Sequence, residues 1–163
     1  MRRRIRRAVL AESDAVAALY RRVADAEWNF LYPHTPEEDR AFYRTQVFAR
    51  CVVWIAVEGE SILGFCAVRR GWIDHLYVDR ARHGEGIGRA LLARALRGRR
   101  RVRLWTFQVN TRSRRFYALR GFREVRLTDG ADNEEKEPDV LLEWRTPPYR
   151  PVAERAFARA SDI

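Results

Sequence analysis

Apolar residues along this chain change their period several times, and each change marks an element. "RIRRAVLA" (4–11) alternates well enough for a first strand. Ser13 and Asp14 stand where a helix cap belongs, and Ala15, Ala18, Leu19 and Val23 recur behind them at helical spacing. The aromatic, proline-interrupted stretch "EWNFLYPHT" (27–35) reads as a loop. Thr35-Pro36-Glu37-Glu38 then opens a second helix, with proline at the first helical position and a glutamate three residues after the cap. Phe42, Val47 and Phe48 supply part of its apolar face. Three strand-like runs follow at about 51–57, 61–68 and 71–78. Glu58-Gly59-Glu60 and Arg69-Arg70-Gly71 join them and are short enough for hairpins.

Helical spacing returns at about 86–97 and stops at Gly98. "VRLWTF" (102–107) is a further strand, and Asn110 caps a helix that runs through Arg120 to Gly121. "FREVRLT" (122–128) and "DVLLEWR" (139–145) are the last strands, separated by a polar, acidic loop at 129–139. The order β-α-α-β-β-β-α-β-α-β-β predicts an α/β (α+β) domain: a mixed sheet of about seven strands with helices on both faces. It has no internal repeat. Residues 1–146 form a single domain, and 147–163 form a proline-rich C-terminal tail.

Composition narrows the class. At 163 residues and 47% hydrophobic the chain can bury a core and is not a disordered one. No apolar run approaches the ~18–20 residues of a membrane span, and the N-terminus lacks a signal-like apolar stretch, so a cytoplasmic protein is expected. Cys51 and Cys66, the only cysteines, lie in strand-like runs without metal or redox spacing, and no metal site is expected. The formal net charge is +10, and of 32 basic residues only Lys136 is lysine. Because the arginines are scattered through every segment, nucleic acid is not expected as the main partner.

One stretch carries chemistry. "RHGEGIGRALLARAL" (82–96) places three alternating glycines directly before a helix. A helix start has unpaired N–H groups and partial positive charge, and glycines let its backbone approach a ligand, so strand, glycine turn and helix make a phosphate seat. It is no dinucleotide fingerprint, because Arg89 stands where the third glycine would be, and no P-loop, because no G-K-[ST] follows.

A second block, "NTRSRRFYALRGF" (110–122), follows the next strand. Together the two blocks resemble the GCN5-related N-acetyltransferase (GNAT) family. The first family motif falls on His83-Gly84-Glu85-Gly86-Ile87-Gly88, and the apolar strand end that precedes it on Leu76-Tyr77-Val78. The second falls on Asn110, Ser113, Tyr117, Gly121 and Phe122. His83 departs from the usual Arg or Gln, and Arg82 or Arg89 could supply the missing charge. Ser113 replaces an alanine.

The resemblance implies a sheet splayed between strands four and five, acetyl-CoA as cosubstrate, and direct attack by an acceptor amine. It sets Leu76, Tyr77, Val78, the 83–88 window with Arg89 and Ala90, Asn110, Ser113, Phe116 and Tyr117 against the cofactor. Val78 N–H would donate to the thioester oxygen, and Tyr117 would be the general acid toward the thiolate. The glutamate that often serves as base on the fourth strand is missing, since Trp72 stands near its place. Period 2 puts Trp72, Asp74, Leu76 and Val78 on one face and His75 on the other, which makes Asp74 the candidate base, directly or through water.

Glu134, Glu135 and Asp139 would line the acceptor side and suit a small cationic or peptide amine. Trp28 and Tyr32 would form the opposite wall. The alternatives are a non-catalytic acyl-CoA-binding regulator, or a transferase that uses another acyl-CoA or a hydroxyl acceptor. A homodimer is left open.

Overall fold

Seven strands form one sheet in the order β1-β2-β3-β4-β5-β7-β6. In this computed structural model, which describes residues 3–27 and 34–147, the strands are β1 (Arg4–Arg7), β2 (Val52–Glu58), β3 (Ser61–Arg69), β4 (Trp72–Val78), β5 (Arg101–Phe107), β6 (Arg123–Leu127) and β7 (Asp139–Arg145). The helices are α1 (Ser13–Glu27), α2 (Pro36–Phe42), α3 (Phe48–Arg50), α4 (Ile87–Leu96) and α5 (Thr111–Ala118). β1 to β4 are joined antiparallel, as are β5, β7 and β6. The two halves meet at β4 and β5, which run parallel and register at a single pair, Trp72 with Arg103. The expected mixed, splayed sheet is what the chain forms.

Each face of the sheet buries its own apolar cluster. One lies under α4 and α5 and gathers Ile87, Leu91, Leu92, Val102, Leu104, Tyr117 and Val140. The other lies under α1 and the α2 segment and gathers Val16, Leu19, Tyr43, Ile55 and Phe65. Leu91 is fully buried, so Leu91→Ala would cost about 2–5 kcal/mol in lost transfer and cavity energy.

Three local expectations are corrected. β1 stops at Arg7 because Leu10–Glu12 wind into a 3₁₀ turn. Glu12 accepts the Val9 N–H at 2.9 Å and pairs with Arg6, so the chain is already turning before Ser13, which is a buried first helical residue. The buried stripe of α1 is Val16, Leu19, Tyr20 and Val23, while Ala15 and Ala18 face outward. Small alanines fit either face, so they did not fix its phase. Thr35 caps α2 as expected, with the reciprocal Glu38 bond, but Tyr43–Val47 then form a π turn. The wider turn rotates the face, so Tyr43 is buried and Phe42 is 49% exposed.

Candidate active site

Beyond the Trp72–Arg103 pair, β4 and β5 separate and leave a cleft of about 1160 Å³. The divergence leaves polar backbone without a sheet partner. Asp79 N–H donates to Leu63 O on β3 at 2.8 Å. Backbone groups alternate sides along a strand, so Val78 and Leu76 direct theirs away from β3 and into the opening.

The glycine turn sits at the end of β4. Gly84 and Gly86 hold φ of +86° and +78°, a left-handed backbone that other residues adopt at a cost. The first bond inside α4 is Ala90 N–H to Gly86 O at 3.0 Å. The amides of Ile87, Gly88 and Arg89 therefore precede the helix ladder and face an anion position. At Gly88 a Cβ would come within 3.3 Å of the Phe116 ring, so glycine also lets α4 and α5 close on each other.

The cations around this turn are sorted by their partners. Arg82 lines the cleft and pairs with Glu58 at 3.0 Å and Glu85 at 2.8 Å. His83 turns inward and its Nε2 meets Val78 O at 2.9 Å, leaving Nδ1 buried with no partner among the described residues. Arg89 lines the cleft and makes no ion pair among the described residues.

Arg120, which the sequence reading missed as a site residue, also lines the cleft. Its guanidinium lies 3.8 Å over the Phe116 ring, and its Nε is buried without a partner. Burial, then the Arg89 charge, holds its pKa down. Its i, i+4 spacing from Phe116 is the one signal that could have found it. Unpaired amides, the Arg89 guanidinium and that of Arg120, whose Nη1 also donates to Phe116 O at 2.6 Å, fit a diphosphate-bearing cofactor.

α5 forms the other wall. Asn110 Oδ1 accepts the Ser113 N–H at 3.0 Å, and Asn110, Ser113, Phe116 and Tyr117 all line the cleft. Tyr117 packs its ring 5.1 Å from both Phe116 and Phe122. Burial, reinforced by Cys66 and Tyr77, pushes its phenol well above the ordinary value, so it stays protonated at neutral pH. Burial raises both thiols as well, Cys51 to about 12, so neither is a thiolate nucleophile at neutral pH.

The face assignment on β4 is overturned. Ala67 pairs with His75 and Val68 with Ile73, so Asp74 is a bulged extra residue. Ile73, Leu76 and Val78 belong to the α4–α5 side, and His75 and Tyr77 to the α1 side. Asp74 lines the cleft, but its carboxylate accepts from Arg69 Nε and from Cys51 Sγ. His75 sits among Tyr20, Phe42, Tyr43, Phe65 and Tyr77, with ring centroids 5.3–6.4 Å away. Burial lowers its pKa to about 4, against a weaker upward pull from Asp74.

The β6–β7 loop is built rather than solvated. Asn133 bonds Glu137 O at 2.7 Å and Asp139 Oδ2 at 3.1 Å, and Asp139 also accepts from the Thr128 hydroxyl. Glu135 and Asp139 line the cleft, with Asp132. Glu134 does not line it and pairs with His34 Nε2 at 2.9 Å. Trp28 and Tyr32 lie outside the described residues, as does nearly all of the expected tail.

A mixed sheet opened between parallel strands, with an anion seat at the opening, defines a fold class that the comparisons identify. The acetyltransferase (GNAT) domain family matches residues 49–124. An uncharacterized N-acetyltransferase of Methanocaldococcus jannaschii is 30% identical over 116 residues, 68% of this chain. The chain spans about half of that relative's length, 51%. The solution structure of apo YjaB from Escherichia coli superposes with a TM-score of 0.72 at 26% identity, covering 88% of this chain and 98% of that one. YncA of Salmonella typhimurium, solved with its cofactor acetyl-CoA, gives 0.69 at 18%, covering 94% and 99%. Residues 49–124 thus match the acetyltransferase (GNAT) domain, and the chain has the fold of these solved acetyltransferase structures.

Proposed function

We propose that the protein transfers an acetyl group from acetyl-CoA to an amine by direct attack. The observation that carries this is the end of β4 that has no strand partner on the β5 side, where the Val78 N–H faces the opening beside the glycine turn while Val78 O is taken by His83 Nε2. Bound acetyl-CoA would supply a thioester carbonyl and a thiolate leaving group. The amides at Gly86–Arg89, with Arg89 and Arg120, would hold its diphosphate, and Asn110, Ser113 and Phe116 would border its arm.

Val78 N–H is the donor for the carbonyl oxygen as negative charge develops there. As the amine nitrogen bonds to the carbonyl carbon, the C–S bond breaks and Tyr117 gives its proton to sulfur. The attacking nitrogen loses a proton in the open cleft. Asp74 remains the candidate base, directly or through water: Arg69 and Cys51 both donate to its Oδ2, which leaves Oδ1 for the acceptor side. His75, neutral and weakly basic, serves as wall rather than base. Glu135 and Asp139 favour a small cationic amine or a peptide amine as acceptor.

A panel of mono-, di- and polyamines and peptide amines, assayed for CoA thiol release with acetyl-CoA, tests this. Turnover with a cationic amine is expected. CoA binding without turnover on any amine would overturn the catalytic reading and leave an acyl-CoA-binding protein.

A further inference from the structure

The chain's excess positive charge is concentrated at the end of the sheet opposite the glycine turn. Arg70, Arg99, Arg100, Arg101 and Arg103 line a second cavity of about 390 Å³ around Trp72. That volume suits a small ligand, since such sites span roughly 300–1,000 Å³. Arg103 meets Glu143 at 2.6 Å, and Arg145 shares the same carboxylate. Six guanidiniums here face one carboxylate, an excess of five in a chain whose formal net charge is +10. Arg70, Arg100 and Arg101 have no ion-pair partner among the described residues. Such crowding of like charge raises the local potential and favours an anion. Trp72, partly exposed in the same cavity, offers an aromatic face among the guanidiniums.

We propose that this basin binds a nucleoside phosphate, free or within a single strand, with phosphates on the arginines and a base stacked on Trp72. Guanidiniums around an aromatic platform are what single-stranded nucleic acid recognition uses. The sequence reading set nucleic acid aside because the arginines looked scattered. The β3–β4 turn and the start of β5 bring them together, since Arg103 N–H bonds Gly71 O at 2.9 Å. The basin and the cleft share no lining residue, and the glycine turn lies beyond Val78, about 20 Å from Trp72 at ~3.3 Å per residue. The inference therefore does not rest on the proposed acetyl transfer.

The test is fluorescence anisotropy of a labelled twelve-residue oligouridylate on the full chain carrying Gly86→Glu, which fills the glycine turn of the cleft, with salt varied from 50 to 200 mM. Arg70→Asn, Arg100→Gln and Arg101→Gln together form the basin variant. Asn suits the left-handed φ of +43° at Arg70. Arg4→Gln, Arg7→Gln and Arg115→Gln together, all exposed and on other elements, remove the same charge elsewhere. The basin variant should lose affinity at least tenfold more than the control and flatten the salt slope by about 2, near 0.7 per lost phosphate contact.

Trp72→Leu should lose a further 5- to 150-fold by removing one stacked base. If UMP displaces the strand and affinity is independent of strand length, the ligand is a free nucleotide. If affinity rises with length, it is a strand. Equal losses in the two triple variants, or no binding by the folded Gly86→Glu chain, would overturn the basin. Competition by inorganic triphosphate as strong as by UTP would overturn the nucleoside part, whether or not Trp72→Leu folds.

Discussion

The two ends of the cleft are made in different ways. At the glycine turn the groups that line the cleft are backbone amides of one contiguous segment, with Arg89 and Arg120 beside them. At the β6–β7 loop they are carboxylates, Glu135 and Asp139, facing a wall of Tyr20, His75 and Tyr77 drawn from α1 and β4. The first end is basic and locally encoded. The second is acidic and assembled from distant segments. A phosphate seat needs little beyond oriented amides, which a short motif can specify. Selecting an amine takes side chains whose spacing in the sequence is arbitrary.

The sharpest way to break this comparison is to fill the first end. Gly86→Glu forces a side chain into φ +78° and sets a carboxylate where the diphosphate would lie. The strain is about 1–2 kcal/mol, so the fold should survive. CoA binding should fall beyond calorimetric detection. Unchanged affinity in a folded variant would end the phosphate-seat reading.

Tyr117 stands between the two ends. Tyr117→Phe keeps the buried ring and removes the proton, so kcat should drop by roughly 10²–10⁴-fold while CoA affinity holds. A wild-type kcat, with chemistry shown to be rate-limiting, would return Tyr117 to the core. Arg120→Gln should weaken CoA by about 10–150-fold, the usual range for a lost charged hydrogen bond, and leave the amine KM unchanged. Calorimetry and steady-state kinetics separate the two effects.

The acidic end should respond more weakly. Exposed charge pairs give about 0.2–1 kcal/mol each, so Glu135→Gln with Asp139→Asn should raise KM for a dicationic amine by roughly 2–30-fold. The effect should shrink with salt and be absent for a neutral isostere. Glu134→Gln should do less, because that carboxylate is held by His34.

The smallest effect concerns the acceptor wall. His75 is held near pKa 4 in the fold, against about 6.5 unfolded, so the unfolded chain binds more protons between those values. Stability is therefore full above about pH 6.5 and declines as pH falls toward 4. The contribution lost by pH 5 is about 2 kcal/mol, or about 4–8 °C in Tm. His75→Phe should remove that part of the wild-type Tm loss between pH 7 and 5. An identical loss in both proteins would mean His75 titrates normally.

The sequence by itself determined every strand of the sheet to within a few residues. It also determined the order of elements and singled out two blocks, His83–Arg89 and Asn110–Tyr117, whose residues line one cleft. These depend on periodicity, caps and glycine φ, which act within a few residues. Only the tertiary structure decided the rest. A bulge opposite Ala67 and Val68 placed Asp74 against Arg69, because register depends on the partner strand. A π turn exchanged Phe42 for Tyr43 in the core, because one residue added to a turn is set by what the helix packs on. Arg120 was laid over Phe116 at the cleft and Arg82 paired with Glu58, because ion pairing follows distance in space and not along the chain.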